Sequence, residues 1–304
     1  MTDPILPLAA LQGSAVDQSA QVLAPTALVQ PAVITPNAGQ AVLLIEQPKP
    51  FEVFSIDTTP AMPSIQCRAR IGGVKPDPTP TVPFNWRIEI IEPPSAGTCP
   101  SAGVKCAAGD QAFGVVGGAW TPSLTTFQGG DVRIKATATM SGNVLEAEVR
   151  VLILGKNPAP RDVYAMCGGR NTDMGRILCH ESGLRQFGDN GYPKLGRGGD
   201  VGISQLCLPA ASCEQRWNWR ANVMEGIRIF GLHKAAARAY LDGHKADGKW
   251  PNERGMTDEQ VLQREAMQRY NGKSYWIWDE IAGLWKVVDK QKYPDVVLAH
   301  TDCP

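Results

Sequence analysis

The sequence predicts a multidomain chain: an all-β N-terminal region, then a mainly α C-terminal region that ends in a small β hairpin. Three observations predict it. From about Ala41 to Leu154 apolar residues return at every second position, as on half-buried strands. Beyond Gly155 they return every three or four residues, as on one face of a helix. Between the two regimes lies Gly155-Lys156-Asn157-Pro158-Ala159-Pro160, which ends a strand and cannot continue it. A chain of 304 residues suits roughly two domains. We therefore read residues 1–40 as an extended arm or linker, 41–155 as a β-sandwich and 156–304 as the helical domain.

Residues 1–40 are rich in Ala, Gln, Pro, Thr and Val with no strand or helix period. Pro4, Pro7, Pro25, Pro31 and Pro36 punctuate them. In the β region Ile65, Cys67, Ala69 and Ile71 alternate with polar residues, as do Phe84, Trp86, Ile88 and Ile90. Val132 to Met140 and Leu145 to Ile153 repeat the pattern around Ser141-Gly142-Asn143, which predicts a hairpin. Short strands split by Gly and Pro turns predict an antiparallel sandwich with Trp86 and Cys67 facing its core. The layout resembles bacterial immunoglobulin-like or fibronectin-like modules, and spacing, docking or carbohydrate contact is the role that layout implies.

In the helical region the first segment runs from Thr172 or Asp173, either of them a good N-cap, to Gly183, a C-terminal stop. A helix near Trp219–Phe230 and a second, Ala-rich one near Lys234–Leu241 follow. Thr257-Asp258-Glu259-Gln260 is a capping box that opens another helix, ending at Asn271-Gly272. Trp276, Trp278, Leu284, Trp285 and Val287 bracket Ala282-Gly283, which reads as an aromatic hairpin.

Lys+Arg and Asp+Glu both number 30, so no bulk charge points to nucleic acid or an anionic membrane surface. No run of about 18 apolar residues is present, so no membrane span is expected. The first forty residues hold no Lys or Arg, which is unlike an ordinary secretory signal. Eight cysteines are nevertheless present. Cys99/Cys106 and Cys207/Cys213 each flank a short loop and suit local disulfides in an oxidising compartment; the competing reading is buried free thiols. The spacings match no zinc motif, and position 184 is Leu, so His180-Glu181 is not a zincin pair. No metal and no cofactor is expected.

The stretch with chemistry is Thr172–Gly183. Met174, Ile177, Leu178 and Glu181 fall at i, i+3, i+4 and i+7, on one face. A glutamate on that stripe loses solvent and meets the negative end of the helix, and both effects raise its pKa. A carboxyl kept protonated near neutrality can serve as a general acid. The competing reading is a solvated glutamate at a fraying helix end. His180 points about 100° away and reads as a packing or surface histidine. Trp217, Trp219, Trp276 and Trp278 suit sugar stacking or, alternatively, core packing.

Glu181-Ser182, Gly202-Ile203-Ser204-Gln205, Asn222-x-x-x-Gly226 and Tyr270-Asn271-Gly272 together, in that order, resemble the soluble lytic transglycosylase family, related to goose-type lysozyme, over about Val163 to Trp276. Ser204 stands where that family has methionine, and Arg269 where it often has alanine. The resemblance implies a lysozyme-like domain that cleaves the MurNAc-β-1,4-GlcNAc bond of peptidoglycan. It implies Glu181 as the catalytic acid, with Ser182, Gln205, Tyr270 and Asn271 binding substrate or shaping the cleft. A 1,6-anhydro product needs only one carboxylate. Hydrolysis needs a second at about 5 or 6.5–9.5 Å, and Asp189 and Asp200 are its candidates, each also explicable as a loop residue. The expected partner is a peptidoglycan strand, met in the periplasm or outside the cell. Delivery within a phage virion or other injection particle, docked through the arm and sandwich, reconciles disulfides with the missing signal. The rival from another class is a non-catalytic structural or wall-binding component of such a particle.

Overall fold

Alternating side chains decide the first part of the structure. The computed structural model describes residues 40–92, 97–103, 105–245, 247–251, 255–288 and 293–300. The arm expected over 1–40 lies, except for its last residue, outside them. The strands are β1 (Val42–Gln47), β2 (Val53–Ile56), β3 (Cys67–Gly72), β4 (Pro83–Ile91), β5 (Ala107–Val116), β6 (Ala119–Trp120), β7 (Gly130–Met140) and β8 (Asn143–Gly155). Cys67, Ala69 and Ile71 of β3, Phe84, Trp86, Ile88 and Ile90 of β4, and Val132, Ile134, Ala136 and Ala138 of β7 are all buried. Their intervening neighbours point outward, as the pleat requires. β7 and β8 pair antiparallel from Gly130↔Ile153 to Met140↔Asn143. The two turn residues, Ser141 and Gly142, both have positive φ, 50° and 78°. That twist suits a two-residue hairpin.

Two sheets result, in the orders β1-β3-β6 and β2-β8-β7-β4-β5. β2 runs parallel to β8, so the larger sheet is mixed. The chain then forms α1 (Pro160–Met166), α2 (Asp173–Ser182), α3 (Cys213–Trp217), α4 (Trp219–Gly243), α5 (Asp258–Tyr270), the hairpin β9 (Trp276–Asp279) and β10 (Leu284–Val287), and α6 (Tyr293–Ala299). The two helices expected over 219–230 and 234–241 are one continuous α4. Gly231 lies mid-helix with open space around it, so it imposes no break. α6 has no counterpart in the sequence reading.

The expected fold class, an all-β immunoglobulin-like sandwich beside a separate, mainly α lysozyme-like domain with a small hairpin, is corrected by this architecture. The described residues fall in one compact unit of mixed α and β structure. Helix is modest after residue 156: α1, α3 and α6 have 7, 5 and 7 residues, and no helix occurs between Gly183 and Ser212. The sheet core continues into the later residues, taking in Phe187 and Trp217. Gly129 and Gly155 make room for them: a Cβ at Gly129 would sit 2.3 Å from the Trp217 ring, and one at Gly155 2.2 Å from the Phe187 ring. Arg216 and Glu92 form a salt bridge whose side chains are 1% and 6% exposed. Trp217 Nε1 also donates to Glu92, and Trp219 Nε1 donates to the Thr58 carbonyl at 2.7 Å. Periodicity reports which face of an element is apolar, not which other element will cover it, and the covering elements here come from across the expected boundary.

The disulfides are crossed rather than local. Cys99 pairs with Cys207 and Cys106 with Cys213, at sequence separations of 108 and 107. Each bond stitches the segment after β4 to the segment before or at the start of α3. Cys179 is also disulfide-bonded, whereas Cys67 and Cys167 are free.

Candidate active site

Glu181 stands in the last turn of α2. Thr172 caps the start of that helix, its hydroxyl accepting from the Gly175 amide at 3.1 Å. Gly183 closes the other end with φ 63°, its amide donating to the Cys179 carbonyl. Met174, Ile177 and Leu178 are buried, so the apolar stripe faces the core and carries Glu181 partly inside with it. Burial raises the Glu181 pKa above the usual carboxylate range; a hydrogen bond from Tyr293 pulls it back, and the charge of Asp200 raises it again. Tyr293 Oη donates to Glu181 Oε1 in a short hydrogen bond. The negative charge that acts on Glu181 is that of Asp200, in the loop after α2.

That loop and the turn after it are built with little freedom. Leu195 bridges to Val201 and Val201 to Leu206, which makes 201–206 a tight loop. Asn222 on α4 holds it. Its Oδ1 accepts from the Ser204 amide at 2.8 Å, and its Nδ2 donates to the Val201 carbonyl at 3.1 Å. The Ser204 hydroxyl donates back to the Asn222 carbonyl at 3.1 Å. Gln186 completes the clamp: its Oε1 accepts from the Ile203 amide, and its Nε2 donates to the carbonyls of Gln215 and Arg216. Gly226, one turn beyond Asn222, leaves the space in which Ser204 lies; a Cβ there would be 2.3 Å from Ser204 Oγ. Asn222-x-x-x-Gly226 is thus a pair of supports for the turn, one by hydrogen bonds and one by vacancy.

The clamped turn presents Gln205, which takes positive φ, 46°. Its Nε2 donates to the Gly202 carbonyl at 2.7 Å. A Cβ at Gly196 would lie 2.2 Å from Gln205 Oε1 and 2.7 Å from Asp200 Oδ2, so both side chains fold over that glycine. Tyr270, at the end of α5, donates to the Ser204 carbonyl at 2.8 Å. Burial raises its pKa most, and the charge of Glu181 raises it further. Tyr293 is raised by the same two causes, burial first. Glu181, Asp200, Tyr270 and Tyr293 therefore share one electrostatic neighbourhood, while Gln205 lies against Asp200.

The other residues expected at the site are placed differently. Ser182 is buried and donates its hydroxyl to the Leu178 carbonyl at 3.1 Å, so its proton is directed into the helix. Lys194 Nζ donates to the Ser182 carbonyl at 2.5 Å, a cation at the negative end of α2. Asn271 is exposed and caps α5 through its backbone. Asp189 is 93% exposed and paired with Arg185, which holds its carboxyl below the usual range. The carboxylate whose charge raises Glu181 is the other candidate, Asp200. Trp217, Trp219 and Trp276 are fully buried and packed in the core. Trp278 stacks on His244, with centroids 6.0 Å apart.

Two features escaped the sequence reading. Tyr293 is one; a proline at the second helical position followed by Asp295 was the available sign of a helix start. The other is Glu265, a second buried acid. It accepts from the amides of Tyr275 and Trp276 at 2.8 and 2.9 Å and sits 2.8 Å from Arg269 Nε, so it fixes the start of β9. Cys99, Asp200 and Cys207 also cluster closely enough to suggest a metal site, but the two sulfurs are joined to each other and offer no thiolate.

Among the described residues no helix is long and apolar enough to cross a membrane. No protein-family model matches the chain, and no curated protein matches it. Among solved structures, one engineered protein is 16% identical over 38% of this chain, with a TM-score of 0.23. This chain spans only 21% of that protein's length. Human titin ZIg10 is 14% identical, covering 44% of this chain and 92% of its own, with a TM-score of 0.20. At such scores neither likeness bears on fold or function.

Proposed function

We propose that this chain cleaves the β-1,4 bond between N-acetylmuramic acid and N-acetylglucosamine in peptidoglycan, as a lytic transglycosylase. Glu181 protonates the glycosidic oxygen as the bond breaks. The resulting carboxylate then takes the proton of the muramyl 6-hydroxyl, which closes the 1,6-anhydro ring without water. One observation carries the reading: a partly buried acid whose pKa is raised by burial stands beside a tyrosine donor and a braced glutamine turn. The motif resemblance supplies the substrate, and the geometry supplies a group able to give and then take a proton. Gln205 and Asn271 are the side chains we assign to sugar contact. Ser182 acts by holding the helix end.

A second reading, hydrolysis of the same bond, is favoured by one specific contact. The charge of Asp200 acts on Glu181, which supports Asp200 as the second carboxylate that hydrolysis needs. The product separates the two. Mass spectrometry of digested peptidoglycan shows anhydro ends for the transglycosylase and reducing ends, heavier by one water, for the hydrolase. Glu181→Gln keeps the shape and removes the transferable proton. Clearing zones on a cell-wall gel from wild type and not from this variant support the proposal; clearing by both places the chemistry elsewhere. The substrate puts the activity in the periplasm or outside the cell. Carriage in a phage or similar injection particle is the delivery route we propose, and recovery of the chain from purified particles tests it.

A further inference from the structure

Cys99, Asp200 and Cys207 bring two sulfurs and a carboxylate oxygen to within 4.8 Å of one another. While the Cys99–Cys207 bond stands, neither sulfur is a thiolate and the cluster holds no metal. The carboxylate is placed for a different state of the sulfurs. Asp200 Oδ1 lies 3.0 Å from Cys99 Sγ. A disulfide sulfur has no proton to donate, so two lone-pair-bearing atoms face each other there with nothing to join them. A thiol donates to such an oxygen, and a cation joins it to both sulfurs.

The segments that carry the two cysteines are held together by more than the disulfide. The Cys99 amide donates to the Gly198 carbonyl at 2.7 Å. The Ser101 hydroxyl donates to the Cys207 carbonyl at 3.3 Å and accepts from the Ala211 amide at 2.8 Å. Arg216 Nη1 donates to the Ser101 carbonyl at 2.7 Å. A Cβ at Gly97 would lie 2.4 Å from the Gly198 carbonyl oxygen, so the two backbones touch there. None of these contacts needs the sulfur–sulfur bond, so the three ligand atoms stay neighbours once it opens. Cys99 is buried, whereas Asp200 and Cys207 are half-buried, which leaves the bond reachable from the Cys207 side.

We propose that the reduced form of this cluster binds zinc through the Cys99 and Cys207 thiolates and the Asp200 carboxylate, with water as the fourth ligand. A small dithiol opens the bond: its own two sulfhydryls close into a disulfide, and Cys99 and Cys207 take up the two electrons and two protons. The metal then displaces both thiol protons. Sulfur at about 2.3 Å and oxygen at about 2.0–2.2 Å around a tetrahedral centre stand roughly 3.5–4 Å from one another. Ligand atoms that already lie within 4.8 Å reach that spacing by side-chain rotation. Two thiolates favour zinc over magnesium or calcium. The same two segments are thus joined by a metal where thiols are kept reduced and by a disulfide where they are not. The loop that bears Gln205 keeps its course in both states. The site does not rest on the glycosidase reading.

In the test the full chain is reduced with a phosphine, the phosphine is removed without air, and cobalt(II) is added as a coloured stand-in for zinc. One equivalent is expected to give thiolate-to-cobalt absorption and the visible bands of tetrahedral cobalt, both erased by an equivalent of zinc. Cys99→Ser with Cys207→Ser is expected to abolish them, and Asp200→Asn to weaken binding about tenfold or more. Circular dichroism follows the fold of each reduced sample. Zinc is expected to raise the melting temperature of the reduced wild type and not that of the double variant. Bands that persist in the double variant, that are absent from the reduced wild type, or that appear equally in the unreduced chain overturn the inference. So does Asp200→Asn binding as tightly as wild type. Loss of the fold on reduction overturns it too, because the cluster then no longer exists.

Discussion

Tyr293→Phe should move the pH profile upward without disturbing the fold. The phenylalanine keeps the ring, and with it the edge contact to His180 at 5.4 Å. It deletes only the hydroxyl that donates to Glu181. A hydrogen bond to a charged acceptor contributes about 1.5–3 kcal/mol and one to a neutral acceptor about 0.5–1.5. The difference, roughly 1–1.5 kcal/mol, is what favours the carboxylate over the carboxylic acid, and about 1.36 kcal/mol corresponds to one pKa unit. Removing the donor therefore raises the Glu181 pKa by about one unit beyond its already raised value. A general acid works protonated, so activity falls as pH climbs through that pKa. The alkaline limb of kcat/KM on peptidoglycan should shift up by about one unit. A carbon-13 titration of the Glu181 side chain reads the same shift with no substrate present, which separates the electrostatic argument from the proposed activity. An unmoved titration, or one displaced downward, would refute the reasoning about this hydrogen bond.

Asp200→Asn removes a negative charge that raises Glu181, so the same titration should move down, opposite to Tyr293→Phe. Glu181→Gln should be more stable than wild type at pH 8 and equal to it near pH 4 in thermal melts. A carboxyl whose folded pKa is raised contributes stability below its unfolded pKa and loses it as pH rises through the folded one. Gly226→Ala forces a Cβ to within 2.3 Å of Ser204 Oγ and should cost about 1–3 kcal/mol in a denaturant melt while displacing the Gln205 turn. Peptide mapping without reductant should return the pairs Cys99–Cys207 and Cys106–Cys213. Reduction should lower the melting temperature, since closing a loop of about 100 residues contributes up to roughly 4.7 kcal/mol; finding Cys99–Cys106 instead would contradict the crossed topology.

What could be read in advance was whatever a single element decides alone. The β7–β8 hairpin follows from alternation and a two-residue turn, and both lie within one short window of sequence. The caps of α2 and α5 follow from Thr172, Gly183 and the Thr257/Gln260 box for the same reason. Disulfide connectivity does not: Cys99 is closer in sequence to Cys106 than to Cys207, and tertiary contacts such as those of Ser101 with Ala211 and Arg216 choose the partner. The fold class failed at the same point. Phe187, Trp217 and Arg216 carry no local mark saying that they will finish the core and charge balance of a sheet made far earlier in the chain.

The candidate site divides along that line too. Glu181 stood out because an acid interrupts an apolar stripe within one helix, and the turn because Gly202-Ile203-Ser204-Gln205 takes part in the motif resemblance. Their neighbours did not. Tyr293 reaches Glu181 from 112 residues away, and Asp200 acts on it from a loop whose path is set by Lys194, Gly196 and a disulfide sulfur 3.0 Å from its carboxylate. Asp189 looked equivalent to Asp200 in sequence, yet Arg185 neutralises it in solvent. The pKa of an acid depends on charges and donors brought to it by the whole fold, so the identity of the acid can be local while its working pH cannot. Tyr293→Phe and Asp200→Asn, expected to move one titration in opposite directions, probe that non-local part directly.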